Sequence, residues 1–170
     1  TSAVKEWALV PTNQEFELRQ LAGPTLPRQI TFDGGLVTPG PVRWLTFPSI
    51  DRVICLNLNN PTSWWELRGE GLMGPLTCAA ISPDTNWIAT TYWKDRGTSA
   101  WDTRTRQRVR ELDRRGGFVS FSPDGRRLLV GSARHYAVWE VGAWKQVWEL
   151  PRHSPGELVG RGAFSPDNQL

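Results

Sequence analysis

With 170 residues, 39% of them apolar and ten of them Trp, the chain can fold as one domain with a real core and is excluded from the disordered class. Its apolar stretches, RLLV and VICL among the longest, fall far short of the ~20 residues that cross a bilayer, and the N-terminus carries no signal-peptide pattern. A net charge of +3 permits an anionic partner without demanding one.

In chain order, Trp7 followed by FELRQL predicts two strands, and GPTLPRQITFDGGLVTPGP reads as a long connection. Phe47 then leads after 18 residues to Trp65 in SWWEL. Ile81, heading ISPD, leads after 20 to Trp101 in SAWD, and Trp101 after 11 to Leu112. Phe121, heading FSPDG, leads after 18 to Trp139 in AVWEV, and Trp139 after 11 to Leu150. Phe164 heads FSPD once more. A period of about 40 with the same letters at the same offsets is the signature of a repeat architecture.

Each unit reads as four short strands. GFVSF alternates before the turn, RRLLVGS follows it, YAVWEV is rich in β-branched and aromatic residues, and WKQVWEL alternates again. In the turn, Ser122 suits position i, Pro123 presets φ at i+1 and Gly125 suits i+3, so a type I turn reverses the chain. The recurring Ser-Pro-Asp is the first hairpin of a repeated four-stranded antiparallel sheet.

The letters AAISPD, VSFSPDG and AFSPD, together with WEL, WD and WE at Trp65, Trp101 and Trp139, resemble the WD-repeat β-propeller family of the bacterial type. The resemblance implies an all-β fold of four-stranded blades: about three full blades plus partial ones, a segment of a larger ring. Its boundaries are strands of a partial blade and a connection at 1–41, blades at 42–76, 77–114 and 115–151, and the first strand of a further blade at 152–170. In that family a His before the first strand and an Asp in the turn before the WD strand join a Ser or Thr and the Trp in a hydrogen-bond network. Here the Gly-His pair is missing from most units, with only Arg152-His153 in a comparable place, and Arg134 and His135 stand where the Asp is expected. An intact network is therefore not expected, and blade stability rests more on aromatic packing.

The same resemblance gathers the interblade and second-to-third-strand loops on one partner-binding face. On it fall Trp93, Lys94, Arg96, Arg114, Arg115, Arg134, His135, Arg152 and His153, with Asp95, Asp113 and Glu157 offsetting part of the charge. A basic face with a few aromatics suits an acidic or phosphorylated peptide, and more weakly nucleic acid. His153 is read as a surviving network histidine and His135 as an ordinary exposed turn residue. Arg104, Arg106, Arg108 and Arg110 alternate along an outermost strand, where positive charge guards an edge. Cys55 and Cys78, with no CxxC and no adjacent His, read as buried core residues, which leans toward a reducing, cytoplasmic setting. No phosphate loop, HExxH, GxSxG or kinase motif is present.

The sequence is thus expected to encode a non-enzymatic protein-interaction or scaffolding module, the regulatory region of a larger multidomain protein. It is expected to need no cofactor and no metal, to make no membrane contact, and to carry blade ends that drive self-association. The alternatives are a nucleic-acid-associated propeller using the same arginines and the non-catalytic part of a propeller enzyme.

Overall fold

The computed structural model describes residues 7–11, 16–20, 36–37, 44–48, 52–60, 63–68, 72, 76–92, 97–114, 117–152 and 160–168. Among these every regular element is a strand, every pairing is antiparallel, and no helix is present that could cross a membrane. Strands β1 (Trp7–Pro11) and β2 (Phe16–Gln20) form a hairpin. Strands β3 (Leu36–Val37), β4 (Trp44–Pro48), β5 (Val53–Asn57) and β6 (Trp64–Leu67) form a sheet in chain order. The next sheet holds β7 (Leu76–Ile81), β8 (Trp87–Tyr92), β9 (Thr98–Asp102) and β10 (Arg108–Asp113), and the last holds β11 (Phe118–Phe121), β12 (Arg127–Gly131), β13 (His135–Glu140) and β14 (Lys145–Pro151). One feature differs from the expected boundaries: β3 lies inside the stretch read as connection and pairs on the far side of β4, through Leu36–Thr46 and Val37–Leu45.

The sheets are laid side by side through their leading strands, β4 against β7 and β7 against β11. Alternation along β7 explains why. Ala79 and Ile81 point to one side and join Trp44, Val53, Cys55, Leu67, Ile88 and Trp101 in a first core. Cys78 and Ala80 point to the other and join Ala89, Ala100 and Leu112 in a second, filled by Val119, Phe121, Leu128, Val130 and Trp139. A strand covered on both faces has no polar side to keep, which is why LTCAAI reads as a nearly continuous apolar run. The small side chains of β7–β9 on the second face leave the room that Phe121 and Trp139 occupy.

Hydroxyls tie the sheets together where the leading strands meet. Thr46 Oγ1 in β4 donates to the Ala79 carbonyl across 2.6 Å, and Thr91 Oγ1 in β8 donates to the Gly117 carbonyl across 2.6 Å. Further along, the Gly160 amide donates to the Ser132 carbonyl at 3.2 Å. Approach is so close there that a Cβ on Gly131 would stand 2.1 Å from the Gly160 oxygen, so only glycine fits.

The Ser-Pro-Asp turn forms three times with one hydrogen-bond scheme. The amides of Thr85, Gly125 and Asn168 donate to the carbonyls of Ser82, Ser122 and Ser165, each at 2.9 Å. Ser82 Oγ donates to Asp84 Oδ1 at 2.5 Å, Ser122 Oγ to Asp124 Oδ1 at 2.6 Å, and Ser165 to Asp167 likewise. Each buried serine also receives the amide that starts the next strand, Trp87 at 3.0 Å and Arg127 at 2.9 Å. The third turn follows 160–165, which makes no strand pairing among the described residues, although a further strand is expected at 152–170. It is held instead by the Asn168 side chain accepting from the Asp124 amide at 2.9 Å.

The two third-strand tryptophans of the later sheets differ. Trp101, opposite Ile88, donates its indole N–H to Thr90 Oγ1 at 2.8 Å. Trp139, opposite Leu128, meets Val130 at the position equivalent to Thr90, and its indole N–H is buried with no hydrogen-bond partner.

Two outcomes follow from this chemistry. Thr90→Val should cost about 1–2 kcal/mol because it orphans a buried donor, whereas Val130→Thr should be neutral or stabilising by about 1 kcal/mol because it supplies an acceptor to one; urea unfolding of both variants measures the pair. In acid, the Asp124 carboxyl is held below the ordinary carboxylate range by the Ser122 hydroxyl and the Arg126 amide. Asp84 is raised by burial, but the Ser82 hydroxyl and Asn86 outweigh that and leave it lowered as well. A carboxyl lowered by folding stabilises above its unfolded pKa of about 3.9 and ceases to do so as pH falls through its folded value. Asp84→Asn/Asp124→Asn should therefore melt below wild type at pH 7, with the gap closing as pH falls below the unfolded value of about 3.9 and through the lowered folded values.

Candidate functional site

The ends of the last two sheets remote from the Ser-Pro-Asp turns bring together side chains that are far apart in sequence. Asp113 closes β10, the edge strand of its sheet. His135 opens β13 of the next sheet, after the tight reversal 132–134. His135 Nε2 lies 3.0 Å from Asp113 Oδ2, within ion-pair distance, both side chains being mostly buried, so the pair bridges two sheets. Its other nitrogen, Nδ1, faces the Ser132 hydroxyl at 3.2 Å.

Ser132 organises the reversal. Its Oγ accepts from the amides of His135 at 3.1 Å and Arg134 at 3.3 Å, and lies 3.1 Å from the His135 carbonyl. Although Ser, His and Asp are connected in a row, the serine is 0% exposed and its hydroxyl is committed to the turn. A buried hydroxyl occupied by backbone groups has no approach for a substrate, so the row acts as a brace rather than a nucleophile relay.

Arg152, just beyond β14, donates from Nη1 to the carbonyls of Ser132 and Ala133 at 3.2 and 3.3 Å. Its guanidinium lies 6.0 Å from the centre of the Tyr136 ring, a cation–π distance. Its amide donates to the Arg134 carbonyl at 2.8 Å. Of the residues proposed for a partner-binding face, the structure thus brings His135, Arg134 and Arg152 together around one turn, with Arg114 beside Asp113. Arg114 and Arg134 are exposed, and Arg152 is half-buried. Trp93, Lys94, Arg96, Arg115 and His153, with Asp95 and Glu157, lie outside the described residues.

His135 departs from its expected role as an exposed turn side chain. The reason is Asp113, which the sequence shows only as a charge neighbouring Arg114. Arg104, Arg106, Arg108 and Arg110 all stand exposed on the β10 edge and the turn before it, where a register shift separates Arg108 from Arg110. Among the described residues no three His, Cys, Asp or Glu side chains converge as a metal site. Both cysteines are free and buried. Burial pushes the Cys55 thiol up and Cys78 up to about 11, so neither offers a thiolate near neutral pH.

Removing the bridge tests its worth. Asp113→Ala should lower stability by about 1–2 kcal/mol, because it removes the carboxylate that faces a largely buried imidazole across the two sheets. Arg114→Ala should stay within about 0.5 kcal/mol of wild type, as exposed side chains generally do, and chemical denaturation of the two variants makes the comparison.

No family model matches the chain, and no curated protein matches it. Among solved structures it is similar to "Kuenenia stuttgartiensis Hydrazine Synthase", with a TM-score of 0.57 and 16% identity, over 87% of this chain and 43% of that one. The chain therefore spans less than half the length of that neighbour, and at this identity the likeness is one of fold alone.

Proposed function

We propose that the chain is a segment of a WD-repeat-type propeller and works as a non-enzymatic interaction module that captures an acidic or phosphorylated protein segment. What supports the propeller part is the recurrence of one four-stranded unit in the last two sheets, packed β7 against β11, with Trp101 and Trp139 at the same register place in β9 and β13. Trp65, given the same role by the sequence spacing from Phe47, lies instead on the opposite face of its sheet, across from Cys55 and Thr46. The bridge adds to it. The family's His before the first strand and Asp in the following turn have counterparts here in Asp113 and His135, with the two residue types exchanged.

One observation carries the binding part. Around the braced turn His135 and Arg152 are spent on internal bonds, while Arg114 and Arg134 present their guanidinium groups to solvent from fixed backbone positions. Two planar forks on a rigid support favour carboxylate or phosphate partners, because little ordering entropy is lost when the bidentate bonds form. The hydrazine synthase neighbour bears the name of an enzyme. No reaction is transferred from it, and the buried Ser132 gives no independent ground for one.

Arg114→Glu/Arg134→Glu is the discriminating variant. On an array of phosphoserine and polyglutamate peptides it should lose about tenfold or more in affinity while its melting temperature stays within a degree or two of wild type. Unchanged binding at low salt would remove these arginines from the contact surface. Retention of single-stranded nucleic acid binding, with a steep salt slope and no competition by the peptides, would favour the rim arginines Arg104 to Arg110 and a nucleic-acid partner instead.

A further inference from the structure

We propose that one extra residue in the outermost strand of each of the last two sheets, Val109 in β10 and Val147 in β14, closes those four-stranded sheets to the addition of a fifth strand. The inference stands on strand register alone and is independent of the function proposed above.

An outermost strand carries a row of outward N–H and C=O groups, and a row in strict register is a template on which another extended chain can pair. β10 does not keep that register. Arg108 stands opposite Trp101 and Arg110 opposite Ala100, so Val109 is surplus, and a further shift separates Glu111 from Asp113. Arg110 and Glu111 are the longest uninterrupted run left to an incoming strand.

β14 repeats the first of these shifts. Gln146 stands opposite Trp139 and Trp148 opposite Val138, with Val147 between them. Trp101 faces Ile88 and Trp139 faces Leu128 at the same step of their sheets, so the two insertions lie at one level. The letters agree, RVREL in β10 and QVWEL in β14. Past the insertion β14 runs in register only as far as Pro151, which has no N–H to offer a neighbour.

The insertion also decides where the side chains of β10 go. Strict alternation would put Arg108 and Arg110 on one face of the strand. With Val109 between them they stand on opposite faces, Arg108 on the side of Trp101 and the first core, Arg110 on the side of Ala100 and the second. A chain approaching the edge from either side therefore meets a cation. Val109 itself is 41% exposed although the middle sheet is packed on both faces, because it belongs to neither. An exposed valine on a regular edge would invite pairing; on a broken ladder, a strand that covered it would forfeit its backbone bonds.

β6 shows the converse case. It pairs with β5 in unbroken register and has no insertion, but it is only four residues long, and its Glu66 is held by Arg52 at 3.2 Å and Arg68 at 2.5 Å. A short, ion-paired edge offers little to pair with.

Sedimentation velocity separates the insertion from the charges. Arg108→Thr/Arg110→Thr, which removes the cations and keeps Val109, should sediment as wild type does at every concentration. The same variant with Val109 deleted regains strict register from Arg108 to Glu111. It should shift to dimer and larger species, with amide exchange slowed at 108–111. Association of the arginine variant while Val109 is in place overturns the proposal, since charge alone would then be closing the edge. So does a deletion variant that keeps native circular dichroism and sediments as wild type, or one that associates with no slowing of exchange at 108–111. Should the deletion in β10 unfold the middle sheet, deletion of Val147 with Trp148→Thr puts the same outcomes to the last sheet, read at 145–151.

Discussion

A threonine hydroxyl reaching from one sheet to a backbone carbonyl in or just before the leading strand of the next, Thr46 in β4 to Ala79 and then Thr91 in β8 to Gly117, is the contact on which the arrangement depends. A bare apolar interface would leave two sheets free to slide, because hydrophobic burial has no preferred direction. A buried hydrogen bond does have one, and losing it costs a desolvated carbonyl and hydroxyl. These bonds fix the offset between neighbouring sheets. Once the offset is fixed, Phe121 falls over the alanines of the middle sheet, and Asp113 arrives within reach of His135.

The face proposed to meet a partner and the framework that supports it are thereby made from the same few residues. His135 and Arg152, which the sequence offers as partner contacts, are used with Ser132 and Asp113 to hold one turn and to join two sheets. Among the described residues Arg114 and Arg134 stand exposed beside that framework, and they are the cations assigned to a partner in the proposal. Rigid support of this kind favours recognition by charge and shape, since the cations need not be ordered when the partner arrives.

Much of the fold is legible in the sequence because its signals are local. Ser-Pro-Asp carries its own hydroxyl, fixed φ and carboxylate, so the turn closes the same way wherever it is written, even with Thr85 or Asn168 in the left-handed position that Gly125 fills. The tryptophan spacing is equally direct for Trp101 and Trp139, but it misplaces Trp65, which lies on the other face of its sheet from Phe47. Strand β3 is not legible: two residues in a Gly- and Pro-rich stretch have no periodicity, and only the neighbouring β4 makes them a strand. The site is harder still. Asp113 and His135 are 22 residues apart on different sheets, and nothing near either residue reports the other. Arg134 and Arg152 look alike as letters, and only the carbonyls beneath Arg152 separate a fastener from a free cation.

The middle sheet, apolar on both sides, has a consequence for how the protein comes apart. Were either flanking sheet to detach, the face of alanines and Cys78, or the face of Ala79, Ile81 and Ile88, would be left to water. Such a layer cannot survive as a partly assembled species, because its stability is borrowed almost wholly from its neighbours. Loss of order should be confined to the outermost strands up to a threshold, beyond which all three layers are lost in one cooperative step.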